Sequence, residues 1–233
     1  MFTNVYNFRD LSTADSHRLK PGRVYRSDSL ARFDDTDWNK FRSLRVRTVV
    51  DLRLPEEVST HGRVRAAAGQ DYHNLSIMRR MWDTATYDDS VGVARYLADR
   101  YLEITEDGAG EIATALRLLA EADHAPAVLH CAGGKDRTGV MAALILSLVG
   151  IGDEAIAADY ARTAETSHLV TAHLHQAYGF QGAPPPFSAC PPEAILAFLA
   201  DLRARHGSVA RFAASIGVPE GTIRSLRAHM VAG

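Results

Sequence analysis

The chain has 233 residues, 46% of them hydrophobic and 23% charged, which excludes a disordered or collagen-like chain and suits an ordinary globular fold. At this length roughly 70% of the unfolded-chain surface can be buried, so the core needs no disulfide, and the two cysteines, Cys131 and Cys190, sit in unlike contexts that suit a reducing compartment. Lys and Arg number 26 against 28 Asp and Glu, a formal net charge of −2 that leaves no global field to attract nucleic acid or an anionic membrane, so any anion must be bound locally.

The first residues, MFTNVYNFRDL, carry polar side chains where a secretory leader needs an apolar run. The longest apolar stretch, residues 140–151, falls well short of the roughly 20 residues that span a bilayer. A cytoplasmic protein without stable membrane insertion is expected, with leaderless export as the alternative. Apolar runs at 24–26, 47–52 (RTVVDL), 72–77 and 127–130 are predicted strands. Between them Trp38, Phe41 and Leu44 share a helical face behind a Thr36 cap, and Val93, Leu97, Tyr101 and Ile104 share another behind Ser90. Residues 140–149 are apolar on every side and predict a central buried helix. The stretch 182–192 (GAPPPFSACPP), with five prolines, forbids regular structure and marks a connection. Beyond it Pro191 and Pro192 suit a helix start, with Ile195, Phe198, Leu199 and Leu202 on one stripe. Strands alternating with helices predict an α/β fold: one domain over 1–233, with a core (1–181), the proline-rich connection, and a helical extension (193–233) around a mostly parallel sheet.

The residues richest in chemistry are 130–139, HCAGGKDRTG, which join a predicted strand to the buried helix. The thiolate is the reactive form of cysteine, and a helix N-terminus with neighbouring cations lowers a thiol pKa from about 8.5 to about 3.5–7.5. Gly133 and Gly134 let the backbone curl so that successive N–H groups, from Ala132 to Lys135, form an anion nest that a phosphate dianion fits. Arg137 can return to the same centre and hold two phosphate oxygens in a bidentate pair. Thr138 is a candidate donor to the sulfur.

This Cys-x5-Arg-Thr loop resembles the signature of the cysteine-dependent tyrosine and dual-specificity phosphatases. The fuller string is similar to a bacterial branch with phosphoinositide-type loops, as are Asn7-Phe8-Arg9-Asp10, residues 22–28 (GRVYRSD) and residues 48–53 (TVVDLR). The resemblance implies a phosphatase-type domain that hydrolyses phosphomonoesters through a phosphocysteine intermediate, with Cys131 attacking phosphorus, Arg137 and the loop amides stabilising the transition state, and neither metal nor other cofactor. Its substrates would be phosphotyrosine proteins, with relaxed specificity towards phosphoserine or phosphothreonine or towards phosphoinositides. Lys135, a second cation beside the arginine, supports the multiply phosphorylated class. Asp28, Arg26 and Arg53 should converge with Asp51 at strand ends, where parallel sheets bind ligands, and Arg53 is a candidate substrate contact.

An acid must protonate the leaving oxygen, and three aspartates compete. Asp136 lies in the loop, Asp51 ends a strand facing the same crevice, and Asp83 follows Trp82 in a lid-like segment, 79–90; Met78, just before it, and Met81, Trp82 and Tyr87 within it either cover the pocket or pack on the core. The first two are indistinguishable here and Asp83 ranks behind them. A Walker loop fails, because Asp136 follows Gly134-Lys135 where Ser or Thr is needed. A rhodanese-like sulfur carrier is the chemical rival, disfavoured by the Lys-Asp-Arg-Thr run. Residues 209–226 also read like a DNA-binding helix-turn-helix, but five arginines against two acids from Asp201 onward is a weak excess, so packing on the domain is expected and nucleic acid is not. His168, His173 and His175 do not share a helix face as a metal cluster would, and Cys190 is either a resolving thiol or inert.

Overall fold

The computed structural model describes residues 2–83, 87–178 and 189–232. Five strands, β1 (Arg9–Asp10), β2 (Val24–Ser27), β3 (Thr48–Asp51), β4 (Asp71–Asn74) and β5 (Ala127–His130), form one sheet in the order β1-β2-β5-β3-β4. Only β1 is antiparallel. The sheet is therefore the mostly parallel one expected, with an added edge strand too short for a periodic signal. β4 stops at Asn74, three residues before the predicted end, because its partner β3 ends opposite at Asp51.

Both faces of the sheet are covered. Val49 and Val128 pack with Phe41 of α1 (Asp35–Ser43) and with Val5, Leu30 and Phe33, while Val50, Leu52 and Leu129 turn into the larger cluster on the other side. Asp34, not Thr36, caps α1, accepting the Asp37 N–H at 2.7 Å. A short helix, α2 (Pro55–His61), follows β3, and α3 (Val93–Asp107) and α4 (Ala109–Ala120) precede β5. Gly92, not Ser90, stands at the start of α3.

The all-apolar segment forms α5 (Asp136–Leu148), buried on nearly every residue as its lack of a polar face requires. Then come α6 (Asp153–Ala161) and α7 (Ser167–Tyr178). Most of the proline-rich connection, residues 182–188, lies outside the described residues. Past it, α8 (Pro192–His206) starts at the prolines and buries the predicted stripe of Ile195, Phe198, Leu199 and Leu202 completely. The helix-turn-helix-like tail, α9 (Val209–Ser215) and α10 (Glu220–Met230), packs on the domain as expected, placing Phe212, Val218, Ile223 and Leu226 in the same core as α5. Backbone bonds from Lys20 N–H to Met230 O (2.8 Å) and from Ala232 N–H to Arg18 O (2.8 Å) tie its end to the first part of the chain. Among the described residues, no helix is long and apolar enough to cross a membrane.

Candidate active site

Register decides what meets at the carboxyl ends of the strands. Ser27 and Asp51 both lie opposite His130, so Asp28, Leu52 and Cys131 emerge side by side. The chain then curls through 131–135 into α5. Carbonyls of three successive residues are held on the outside of this curl. Ala132 O accepts the Ser29 N–H at 3.1 Å, Gly133 O and Gly134 O accept Asn7 Nδ2 at 3.3 and 3.0 Å, and Gly134 O also accepts Arg26 Nη2 at 2.9 Å. In a trans peptide the following N–H points opposite to the carbonyl, so the amides of 133, 134 and 135 face the other way, inward. The Gly134 N–H accordingly donates to Cys131 Sγ at 3.2 Å. Gly134 adopts φ +67°, and a Cβ there would stand 2.6 Å from Ser27 O, so both conformation and space demand glycine.

Asn7 and Arg26 are themselves fixed. Asp159 on α6 pairs with Arg26 and with Arg9 (Nε–Oδ1 2.8 Å), and Arg9 also bonds Asn7 Oδ1. Burial and the neighbouring Arg26 lower the Arg9 pKa to about 10, still a cation at neutral pH. The neighbouring Asp10 accepts the N–H of Ser12 (2.9 Å) and of Gly22 (2.6 Å).

Arg137 is buried at the start of α5, where Glu57 of α2 takes both of its terminal nitrogens, Nη2–Oε1 at 3.0 Å and Nη1 on Oε2. Burial would push the Glu57 carboxyl up, but Arg137 outweighs it and the pKa falls, so the pair is ionic. Glu57 is not among the residues singled out from the sequence. Its signal was present in Leu54-Pro55-Glu56-Glu57, a proline at the first helical position followed by acids, directly after a strand whose end faces the loop.

The aspartates separate cleanly. Asp51 is fully buried beneath the loop and saturated by Arg53 Nη2 (2.6 Å), Arg53 Nε (2.9 Å) and Tyr72 Oη (2.8 Å), with His130 Nε2 at 3.5 Å. These partners, led by His130 and Arg53, overcome burial and hold its pKa at about 2. Arg53 is equally buried and spends itself on Asp51 and Gly62 O, so the structure does not bring its head to the loop mouth. Arg26 likewise is an internal strut and not a surface charge. Asp136 differs: its side chain is 26% exposed, accepts Tyr101 Oη at 2.8 Å and lies 3.4 Å from Lys135 Nζ. Burial and Asp136 drive the Tyr101 phenol well above its ordinary pKa, and its oxygen also meets Tyr160 Oη at 2.6 Å.

Thr138 does not reach the sulfur, since its buried hydroxyl has no hydrogen-bond partner among the described residues and the Gly134 amide is the group on Sγ. His130, buried beside the nucleophile, has a pKa lowered by desolvation and stays neutral at neutral pH. Lys135 Nζ donates to Ala189 O at 3.1 Å, which brings Cys190 beside the loop, and burial pushes that thiol up. Of the lid-like segment, residues 84–86 lie outside the described residues. Met78 is buried, Trp82 and Tyr87 pack on the core, and Met81 and Asp83 are exposed. What does cover the loop is α7: a Cβ on Gly133 would lie 3.3 Å from Val170 and 3.6 Å from Leu174. Among the described residues no group of three or more His, Cys, Asp or Glu could hold a metal ion.

Comparison with known proteins agrees with this geometry. A sequence profile of the tyrosine phosphatase family matches residues 1–232. The triple specificity protein phosphatase PtpB of Mycobacterium tuberculosis is 32% identical over 199 residues, spanning 74% of this chain and 71% of the relative. A putative tyrosine-protein phosphatase of Cupriavidus necator is 29% identical over 174 residues, 68% of this chain and 60% of its own length. A tyrosine-protein phosphatase of Nostoc commune is 27% identical over 147 residues, 60% and 47% respectively.

Proposed function

The chain belongs to the tyrosine phosphatase family, and from that premise we propose that it hydrolyses phosphomonoesters by covalent catalysis at Cys131. The Cys131 thiolate attacks phosphorus, forming the S–P bond as the ester P–O bond breaks, and Asp136 gives its proton to the departing oxygen. Water then attacks the phosphocysteine, Asp136 takes back a proton, and the S–P bond breaks to return thiolate and inorganic phosphate. The inward amides, the start of α5 and Arg137 stabilise the charge that builds on the phosphoryl oxygens.

The observation that carries this reading is the outward pinning of the loop carbonyls by Ser29, Asn7 and Arg26, which leaves an amide-lined cradle around Sγ. Asp136 is favoured over Asp51 as the acid because Asp51 is fully buried and locked to Arg53 and Tyr72, whereas the Asp136 carboxyl is partly exposed beside the loop. Tyr101 takes Oδ1 of Asp136, and the transferable proton is assigned to Oδ2. Lys135 and the mycobacterial relative's name as a triple specificity phosphatase support a breadth that extends from phosphotyrosine to phosphoserine, phosphothreonine and phosphoinositides. A cytoplasmic site of action fits the two unpaired cysteines.

The test is turnover of a phosphotyrosine peptide by Cys131→Ser, Asp136→Asn and Asp51→Asn. Cys131→Ser should lose several orders of magnitude in kcat. Asp136→Asn should lose about 10²-fold, and much less on an aryl phosphate whose leaving group needs little protonation. A defect of that pattern in Asp51→Asn instead would reassign the acid, and retained activity in Cys131→Ser would end the proposal.

A further inference from the structure

A cavity of about 120 Å³ lies beside the catalytic loop, with Ala132, the residue after the nucleophile, in its wall. Three basic side chains from separate parts of the chain line it: Arg32 from the turn after β2, His61 from the end of α2 and His173 from α7. Burial, and then Arg32 and His61, lower the His173 pKa, so its imidazole is neutral and offers a ring N–H. Arg32 is held in position by Asp28 and by the Tyr6 ring 4.8 Å beneath its guanidinium, yet its Nε and Nη1 are buried without hydrogen-bond partners among the described residues. Arg32 brings a positive charge that an anionic ligand answers, the two imidazoles bring ring N–H donors, and leaving arginine N–H donors unpaired costs desolvation that such a ligand offsets.

We propose that this cavity is a second anion subsite, and that Arg32, His61 and His173 receive the carboxylate of an acidic residue flanking the phosphorylated residue of a peptide. The inference rests on the phosphatase reading, since the substrate must have its phosphate in the adjoining loop. A carboxylate side chain suits the hollow better than a second phosphate. Its methylene stem matches the apolar walls supplied by Leu174 and Ala132, and its single charge matches a site where Asp28 already neutralises part of Arg32.

The readout is a ratio within each protein: kcat/KM for phosphotyrosine peptides carrying Glu at each of the two positions on either side, divided by that for the all-alanine peptide. Wild type should show a ratio of about 10 at the favoured position. His173→Gln and His61→Gln should bring it towards 1 through KM, whatever either does to overall turnover, and an uncharged Gln in place of the flanking Glu should do the same in wild type. A wild-type ratio near 1, or one that both variants preserve, overturns the subsite. So does a ratio near 1 alongside a His173-dependent preference for inositol bisphosphates over the monophosphate, which would assign the hollow to a second phosphate. Wild type that hydrolyses neither peptides nor an aryl phosphate removes the phosphatase reading and the subsite together, whereas turnover without discrimination removes the subsite alone.

Discussion

Glu57 and Arg137 each keep only about 6% of their side-chain surface exposed, so neither charge has water as an alternative partner. A buried pair is costly to break from one side, because the survivor stays desolvated and uncompensated. Glu57→Gln keeps the shape and one acceptor but removes the charge that holds the guanidinium flat. Glu57 touches no substrate in this scheme and is a positioning residue. The expected result is a loss of about 3 kcal/mol in unfolding free energy together with a fall in kcat of tenfold or more, while Glu57→Asp recovers part of both. Loss of stability at unchanged kcat would reduce Glu57 to a packing role. Asp51 makes a different prediction, read in acid. Its folded pKa of about 2 lies below the roughly 3.9 of an unfolded aspartate, so the stability it contributes is present above about pH 4 and disappears as pH falls through 2. The gap is worth about 2–3 kcal/mol. Denaturant titrations between pH 5 and 2 should show Asp51→Asn with a flatter acid limb than wild type, and parallel limbs would contradict the assignment.

At the scale of elements, the parts that were legible are those whose signal is local. The strand into 130–139, the all-apolar α5 and the stripe of α8 follow from run length, periodicity and proline placement. The cradle's ingredients were legible too, because a curl this tight needs a glycine such as Gly134 at a positive φ, whereas the tightness at Gly133 comes from packing against α7. What holds the cradle open was not. Asn7 and Arg9, Arg26, and Asp159 come from three places, with Arg9 and Asp159 150 positions apart, and only the register of β2 on β5 and the docking of α6 bring them to one point. The same is true of the choice between Asp51 and Asp136. Both sit next to the crevice in sequence logic, and their difference lies in which one Arg53 and Tyr72 reach, a fact of side-chain packing. Arg53 misled for a related reason: a cation at a strand's carboxyl end reads as a ligand contact until its own carboxylate, two residues away, is seen to consume it. α7 was anticipated only as a helix with histidines, and its place over Gly133 depends on the path after α6.

One apolar cluster runs from Leu11 to Met230, so the C-terminal helices and the catalytic half share a core. The coupling has a specific route. Phe198 on α8 is fully buried and meets the Tyr101 ring edge-on at 6.1 Å between centroids, and Tyr101 in turn fixes Asp136 and Tyr160 through its hydroxyl. Replacing Phe198 by Ala opens a cavity of ring size at the junction of α3 and α8, which typically costs about 3–5 kcal/mol. For a chain of this length that corresponds to a fall in Tm of roughly 6–20 °C. The ring of Tyr101 then has room to tilt, and its hydroxyl no longer defines where the Asp136 carboxyl points. Well below its lowered Tm, Phe198→Ala should therefore lose more activity on phosphotyrosine, which needs its leaving oxygen protonated, than on an aryl phosphate with a good leaving group. Tyr101→Phe, which keeps the ring and deletes the hydroxyl, should show the same substrate pattern with a smaller thermal shift. If Phe198→Ala slows both substrates equally, the helical extension stabilises the domain without steering the acid, and the route through Tyr101 is wrong.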